Sequence, residues 1–281
     1  MVQSVESLAR VYYVYGVVPA QPAQSNRPVE QREAAASTSG GAAPVTAANP
    51  PRGLDGSAVS LFPVADVAAL VSELPNVEYD PATVESRLAD LDWLSPRAIA
   101  HDDVVSWASD QGGVIPFPMW VLFRDTPALE RGLAPRLAEF HRELDRVTPG
   151  REYSVRVFAF KEKLAALSPA VAQLESEIEK ATPGQRYLLE RKLEGVRQTE
   201  AREVSASVSD SIHEELSKLA LAATTEPAPK SAAILNAAYL VSRDTPEPFQ
   251  ARLTDLIHKF EPLGFRFEFT GPWPPYHFVG R

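Results

Sequence analysis

The chain contains no cysteine, which removes disulfides, thiolate nucleophiles, iron–sulfur clusters and cysteine-based zinc sites together. Any metal would fall to carboxylates and to five scattered histidines. No apolar run approaches the roughly 20 residues that cross a bilayer, so no membrane span is expected. The start lacks a basic stretch followed by an apolar core, because Glu6 and Arg10 flank only short apolar segments, and a cytoplasmic location is expected. Bases are outnumbered, 28 against 37 acids, for a formal net charge of −9. That field repels a phosphate backbone, so nucleic acid is not an expected partner. Neither Gly-x-x-x-x-Gly-Lys-Ser/Thr nor Gly-x-Gly-x-x-Gly nor Gly-x-Ser-x-Gly occurs. No cofactor, metal or catalytic residue is therefore assigned.

What is present suffices for two compact units: 281 residues, 44% hydrophobic and 23% charged, exceed one ordinary core. The run Val11 to Val18, β-branched and aromatic, predicts a strand buried on both sides and stopped by Pro19. From about residue 19 to 56 the text turns to Ala, Pro, Ser, Gln and Gly, with no aromatic between Tyr15 and Phe62. That composition predicts a disordered insertion. Ala58 to Phe62 and Val64 to Val71 read as a strand pair, and Val84, Leu88 and Leu91 as a short helix. Ser95-Pro96 is read as opening a second helix through Trp107, and Thr126-Pro127 as capping one that reaches about Val147. Between them, Val114 to Phe123 carries prolines that confine it to a sheet edge or bulge.

A turn at Thr148-Pro149-Gly150 marks the expected boundary, with an N-terminal α+β domain over 1–147 and a C-terminal domain over 148–281. In the second, Glu152 to Phe160 is a strand. Ser168-Pro169 and Thr182-Pro183 open long helices over about 169–222. Their length predicts a projecting helix or helical hairpin, with Gly195 as the site of any bend. Ala232 to Ser242 reads as a central strand, Phe249, Leu253, Leu256, Ile257 and Phe260 as the inner stripe of a helix, and Phe265, Phe267 and Phe269 as one face of a last strand. The fold class expected is α+β, the C-terminal domain being a ferredoxin-like variant with an antiparallel sheet and helices on one side.

The terminal text Gly271-Pro272-Trp273-Pro274-Pro275-Tyr276-His277-Phe278-Val279 resembles the closing signature of the gas vesicle protein F/L family. Further blocks similar to that family stand in family order: Val14-Tyr15-Gly16, Tyr153 to Val157, Pro183-Gly184 with Tyr187-Leu188 and Arg191-Lys192, and Asn236 to Val241. The resemblance implies a gas vesicle assembly factor or minor structural component, located in the cytoplasm and at the gas vesicle. Its partners would be the hydrophobic shell subunit, whose aggregation it limits during nucleation, and other accessory gas vesicle proteins. A gas-facing shell subunit carries a water-repelling surface that is an aggregation hazard before assembly. Two rival expectations are a small-molecule enzyme on the ferredoxin-like sheet and a helical adaptor unrelated to vesicles.

Six residues are candidates for partner or interdomain contact. Trp273, Tyr276 and Phe278 belong to the proline-rich terminus, where large aromatics serve a core plug and an interface equally well. Leu216 and Leu219 lie on the apolar stripe of the long helix, which packs on Val171, Leu174 and Ile178 or presents a partner face. His101, beside Asp102 and Asp103, is the best acid–base candidate, but no second histidine lies nearby. His141, between Glu139 and Glu143, reads as part of a charged helix face.

Overall fold

Strand β1 (Arg10–Pro19) organises the first half of the chain. It pairs antiparallel with β3 (Val67–Pro75) on one side and with the two-residue strands β4 (Ile115–Pro116) and β5 (Leu122–Phe123) on the other. β2 (Ser60–Val64) continues the sheet beyond β3 through a two-residue turn whose Ala65 has φ 57°. The computed structural model describes residues 10–20, 50–166, 168–227 and 233–280. By contact density it divides into two units, one reaching Arg151 and resuming at Trp273, the other Glu152–Pro272.

Both faces of the first sheet are covered, as the unbroken apolar run of β1 requires. Val11, Tyr13, Tyr15, Ala68, Leu70 and Leu74 pack against α1 (Asn76–Tyr79), α2 (Pro81–Arg87) and α3 (Leu91–Gln111). Val14, Val17, Ala69 and Val71 pack against α4 (Thr126–Leu133) and α5 (Leu137–Val147). A register shift between Val14 and Gly16 changes the alternation, so Val17 joins the face of Val14 rather than that of Tyr15. At Gly16 a Cβ would stand 2.5 Å from the Ile115 carbonyl oxygen, so the glycine lets β4 approach.

Three expectations change here. The insertion read as 19–56 falls on residues 21–49 outside the described residues, but its end is ordered. Leu54 is fully buried, its N–H donates to the Tyr15 hydroxyl at 3.0 Å, and Asp55 pairs with Arg97 at 2.7 Å and accepts from Tyr79. One large apolar side chain and a buried hydroxyl suffice to pin the loop. The third helix begins at Leu91, not at Pro96, because Asp90 Oδ1 accepts from the backbone N–H of Asp92 and Trp93 at 3.1 and 3.2 Å. Pro96 then sits inside the helix and forfeits one backbone bond. The terminus, read as part of a domain over 148–281, packs with the first unit instead, for reasons given below.

In the second unit the sheet order is β7-β8-β6-β9: β7 (Ala222–Thr225), β8 (Ala233–Ser242), β6 (Gly150–Ala159) and β9 (Phe265–Trp273). Alternate residues Tyr153, Val155 and Val157 of β6 and Leu235, Ala237, Tyr239 and Val241 of β8 form one buried face. Against it lie α6 (Lys161–Ala166), the second half of α8 (Pro183–Ser217) and α9 (Glu247–Phe260). The first half of α8 packs instead on α7 (Pro169–Lys180) through Leu193, Val171 and Leu174. Thirty-five residues of α8 span about 52 Å, and they stay helical through Gly195. The helix ends at Ser217 rather than near Ala223, since Ala222 to Thr225 pair with β8 as an edge strand. Gly271 has φ 123° and a Cβ there would lie 2.8 Å from the Glu152 carbonyl oxygen, which accounts for the glycine opening the terminal motif.

Candidate functional site

The terminal motif is held by two helices of the first unit. The Tyr276 hydroxyl donates to Asp102 Oδ1 of α3 at 2.7 Å, Arg146 of α5 donates to the Phe278 carbonyl, and the Gly280 N–H donates to Glu143 Oε1 of α5 at 2.8 Å. Phe278 is buried, and Val279 packs against the cluster of Phe117, Leu133 and Phe140. Three prolines in a short stretch stiffen the backbone that delivers these groups.

Docking the terminus completes one wall of an open groove of about 550 Å³. The opposite walls are the edge segment Ile115 to Phe123 and the helices α4 and α5, with Leu133, Arg136 and Glu143. The lining is mainly apolar: Ile115, Pro116, Phe117, Val121, Phe123 and Leu133 contribute six of its side chains. Arg136 lies over the Phe140 ring at 4.9 Å and donates twice to Glu139, at 3.0 and 2.6 Å. This pairing holds the Glu139 carboxyl below its ordinary range.

His101 lines the groove floor, 5% exposed. Burial pushes its pKa down to about 4, only partly opposed by Asp102 and by a hydrogen bond with the Phe117 backbone. Burial raises the Tyr13 pKa, so that hydroxyl keeps its proton and donates to His101 Nδ1 at 2.7 Å. The imidazole is thus neutral near pH 7 and engaged by Tyr13. Beside it, the Tyr15 hydroxyl sits 3.0 Å from Ser72 Oγ, which donates to the Ala58 carbonyl.

The groove brings together Tyr276 and His101 of the six candidates, and the structure disperses the rest. Phe278 anchors the terminus, and Trp273 closes β9, 40% exposed. Leu216 is corrected: it is 0% exposed, enclosed by the sheet of the second unit, and open to no partner. Leu219 lies beyond the end of α8 and is 40% exposed. His141 pairs with Asp66 at 2.9 Å, not with its neighbours on α5. Sequence reasoning missed Glu143 by placing it on a charged face. Its spacing from Phe140 and Val147, three before and four after, put it on the buried stripe all along.

A larger groove of about 1040 Å³ follows α8 in the second unit, with Glu162, Glu175, Glu194 and Asp210 against Arg197 and Arg202. Arg197 pairs there with Glu175 at 2.6 Å, and none of the candidate residues lines it. Among the described residues, no group of three or more His, Asp or Glu is placed to hold a metal ion, and no helix is long and apolar enough to cross a membrane.

Fold and groove therefore define an α+β protein with an open, mainly apolar groove. Its relatives make the class specific. The family described as "Gas vesicle synthesis protein GvpL/GvpF" matches residues 11–280. Gas vesicle protein L of Streptomyces sp. (strain CB03234) is 32% identical over 237 residues, covering 81% of this chain and 85% of that protein. Gas vesicle protein F2 of Halobacterium salinarum is 35% identical over 75 residues, 27% of this chain and 34% of that one. The crystal structures of GvpF from Anabaena sp. PCC7120 and Microcystis aeruginosa share the fold, with TM-scores of 0.65 and 0.63 at 19% and 15% identity. They cover 97% and 96% of this chain, and 97% and 99% of their own. The chain belongs to the gas vesicle GvpL/GvpF family, and its role is a gas vesicle one.

Proposed function

We propose that this protein acts in gas vesicle assembly by covering apolar surface of the shell subunit before it is built into the wall. It works by contact and not by catalysis, in the cytoplasm and at the growing vesicle, with other accessory vesicle proteins. The observation that carries this is the open, mainly apolar groove between the Ile115 to Phe123 edge and the docked terminus. A concave apolar surface that is already formed can hold a partner without the ordering cost of building it. The engagement of His101 by Tyr13 supports a non-catalytic role for the one histidine in it.

The second unit we read as a ferredoxin-like variant. Support comes from its order β7-β8-β6-β9 and from its chain sequence of strand, helices, two strands, helix and strand. The α7 and α8 hairpin is an addition to that plan.

The test is co-expression of the shell subunit with this chain, followed by pull-down. The wild type is expected to retain the subunit in the soluble fraction, and Met119→Arg, which puts a charge on the groove wall, to retain less than half as much. Equal retention by both would remove the groove from the function.

A further inference from the structure

Glu143 is 6% exposed, and its two oxygens are unequally served. Oε1 accepts the Gly280 N–H at 2.8 Å, while among the described residues Oε2 has no hydrogen-bond donor. An enclosed carboxylate oxygen without a donor is costly, and such groups call for a partner. Arg136 does not supply one, because its guanidinium is committed to Glu139 by two hydrogen bonds and lies over Phe140. His101 gives its Nδ1 to Tyr13. Of the charged groups lining the groove, Arg136 is hydrogen-bonded to Glu139, and Glu143, though within electrostatic reach of Arg136, receives no side-chain hydrogen bond among the described residues.

The walls restrict the occupant further. Pro116 and Pro118 lack N–H groups, so the rim beside β4 offers few donors for strand addition, and recognition falls to side chains. A lysine or arginine stem can lie along Phe117, Phe123 and Leu133 while its charged end reaches a carboxylate. The volume of about 550 Å³ accommodates a segment of tripeptide size. We propose that the groove takes an extended peptide segment carrying a basic side chain between apolar neighbours, with Glu143 Oε2 as acceptor for the basic group. This rests on the reading of the groove as the contact surface and names what that surface recognises.

The experiment is isothermal titration of the full-length protein with three probes, the amide-capped, N-acetylated tripeptides Leu-Lys-Leu, Leu-norleucine-Leu and Leu-Glu-Leu. The lysine probe is expected to bind at least about tenfold more tightly than the norleucine probe, the gain of one charge-assisted hydrogen bond, and the glutamate probe most weakly. Glu143→Gln keeps an oxygen for the Gly280 N–H and should bring the first two within about twofold of each other. The wild-type ratio is informative without any variant. Equal binding of the three probes, absence of binding, or a lysine preference that persists in Glu143→Gln overturns the proposal. A preference that emerges only in Arg281→Ala would assign the carboxylate to the chain's own terminal residue and overturn it too. Shell-subunit retention is scored separately: retention without lysine preference sinks this inference alone, and preference without retention sinks the assembly role alone.

Discussion

Acidification should destabilise the first unit through His101. Its pKa is 6.5 when unperturbed and about 4 in the fold, so the unfolded chain binds the proton more tightly. Stability is then full above about pH 6.5, falls as the pH drops, and the loss is complete below about pH 4. The difference of about 2.5 units corresponds to roughly 3 kcal/mol at 1.36 kcal/mol per unit, a large share of the 5–15 kcal/mol typical of a domain. Protonation also forces the Tyr13 hydroxyl to turn away from Nδ1, which it now serves at 2.7 Å. The assay is urea unfolding of the wild type and of His101→Asn at pH 7, 6, 5 and 4. Asparagine offers Tyr13 an acceptor without a proton equilibrium. Carboxylates held low by arginines, such as Glu139 and Glu215, also lose stability in acid, but only below their unfolded pKa of 4.5 and equally in both proteins. The wild type should therefore lose roughly 3 kcal/mol more than the variant between pH 7 and pH 4. Parallel curves, within about 0.5 kcal/mol over that range, would refute the assignment of a neutral, buried imidazole.

Gly16→Ala should cost at least about 2 kcal/mol, because its Cβ meets the backbone oxygen of Ile115 rather than a flexible side chain; a loss below about 0.5 kcal/mol in urea unfolding would mean β4 can move aside. Leu216→Ala should cost about 2–5 kcal/mol as a cavity in the second core. Leu219→Ala, 40% exposed, should cost less than about 1 kcal/mol, so that equal losses would contradict the placement of the two leucines.

Much of the architecture was legible because local signals agreed with the packing. The β1 run had no polar side, and the structure buries it on both. Ser168 caps α7 through its hydroxyl, and Thr182 stands at the N-cap of α8 with Pro183 at its first position, its N–H and hydroxyl donating to the Gln185 side chain. The α9 stripe from Phe249 to Phe260 is its buried face. What failed was decided by competition or by distance. Asp90 outcompeted Ser95-Pro96 as a helix start, because a carboxylate positioned for two N–H groups outweighs one misplaced proline. Leu54 ordered the end of a segment whose composition predicted disorder. Of the groove, Tyr276 and His101 were visible in sequence. Its partners were not, since Asp102, Glu143 and Arg146 meet residues 276–280 across 130 positions or more. Glu143 alone left a trace, as an acid on an apolar stripe.

The central claim is that this protein keeps the shell subunit soluble through the groove. It is met most directly by synthesising the shell subunit in a cell-free system with a stoichiometric amount of purified protein, and measuring the fraction left in solution after centrifugation. Wild type is expected to hold most of the subunit in the supernatant, and Met119→Arg, folded to the same thermal midpoint, to leave it in the pellet. A subunit that sediments equally with wild type, with the variant and with neither would contradict the account.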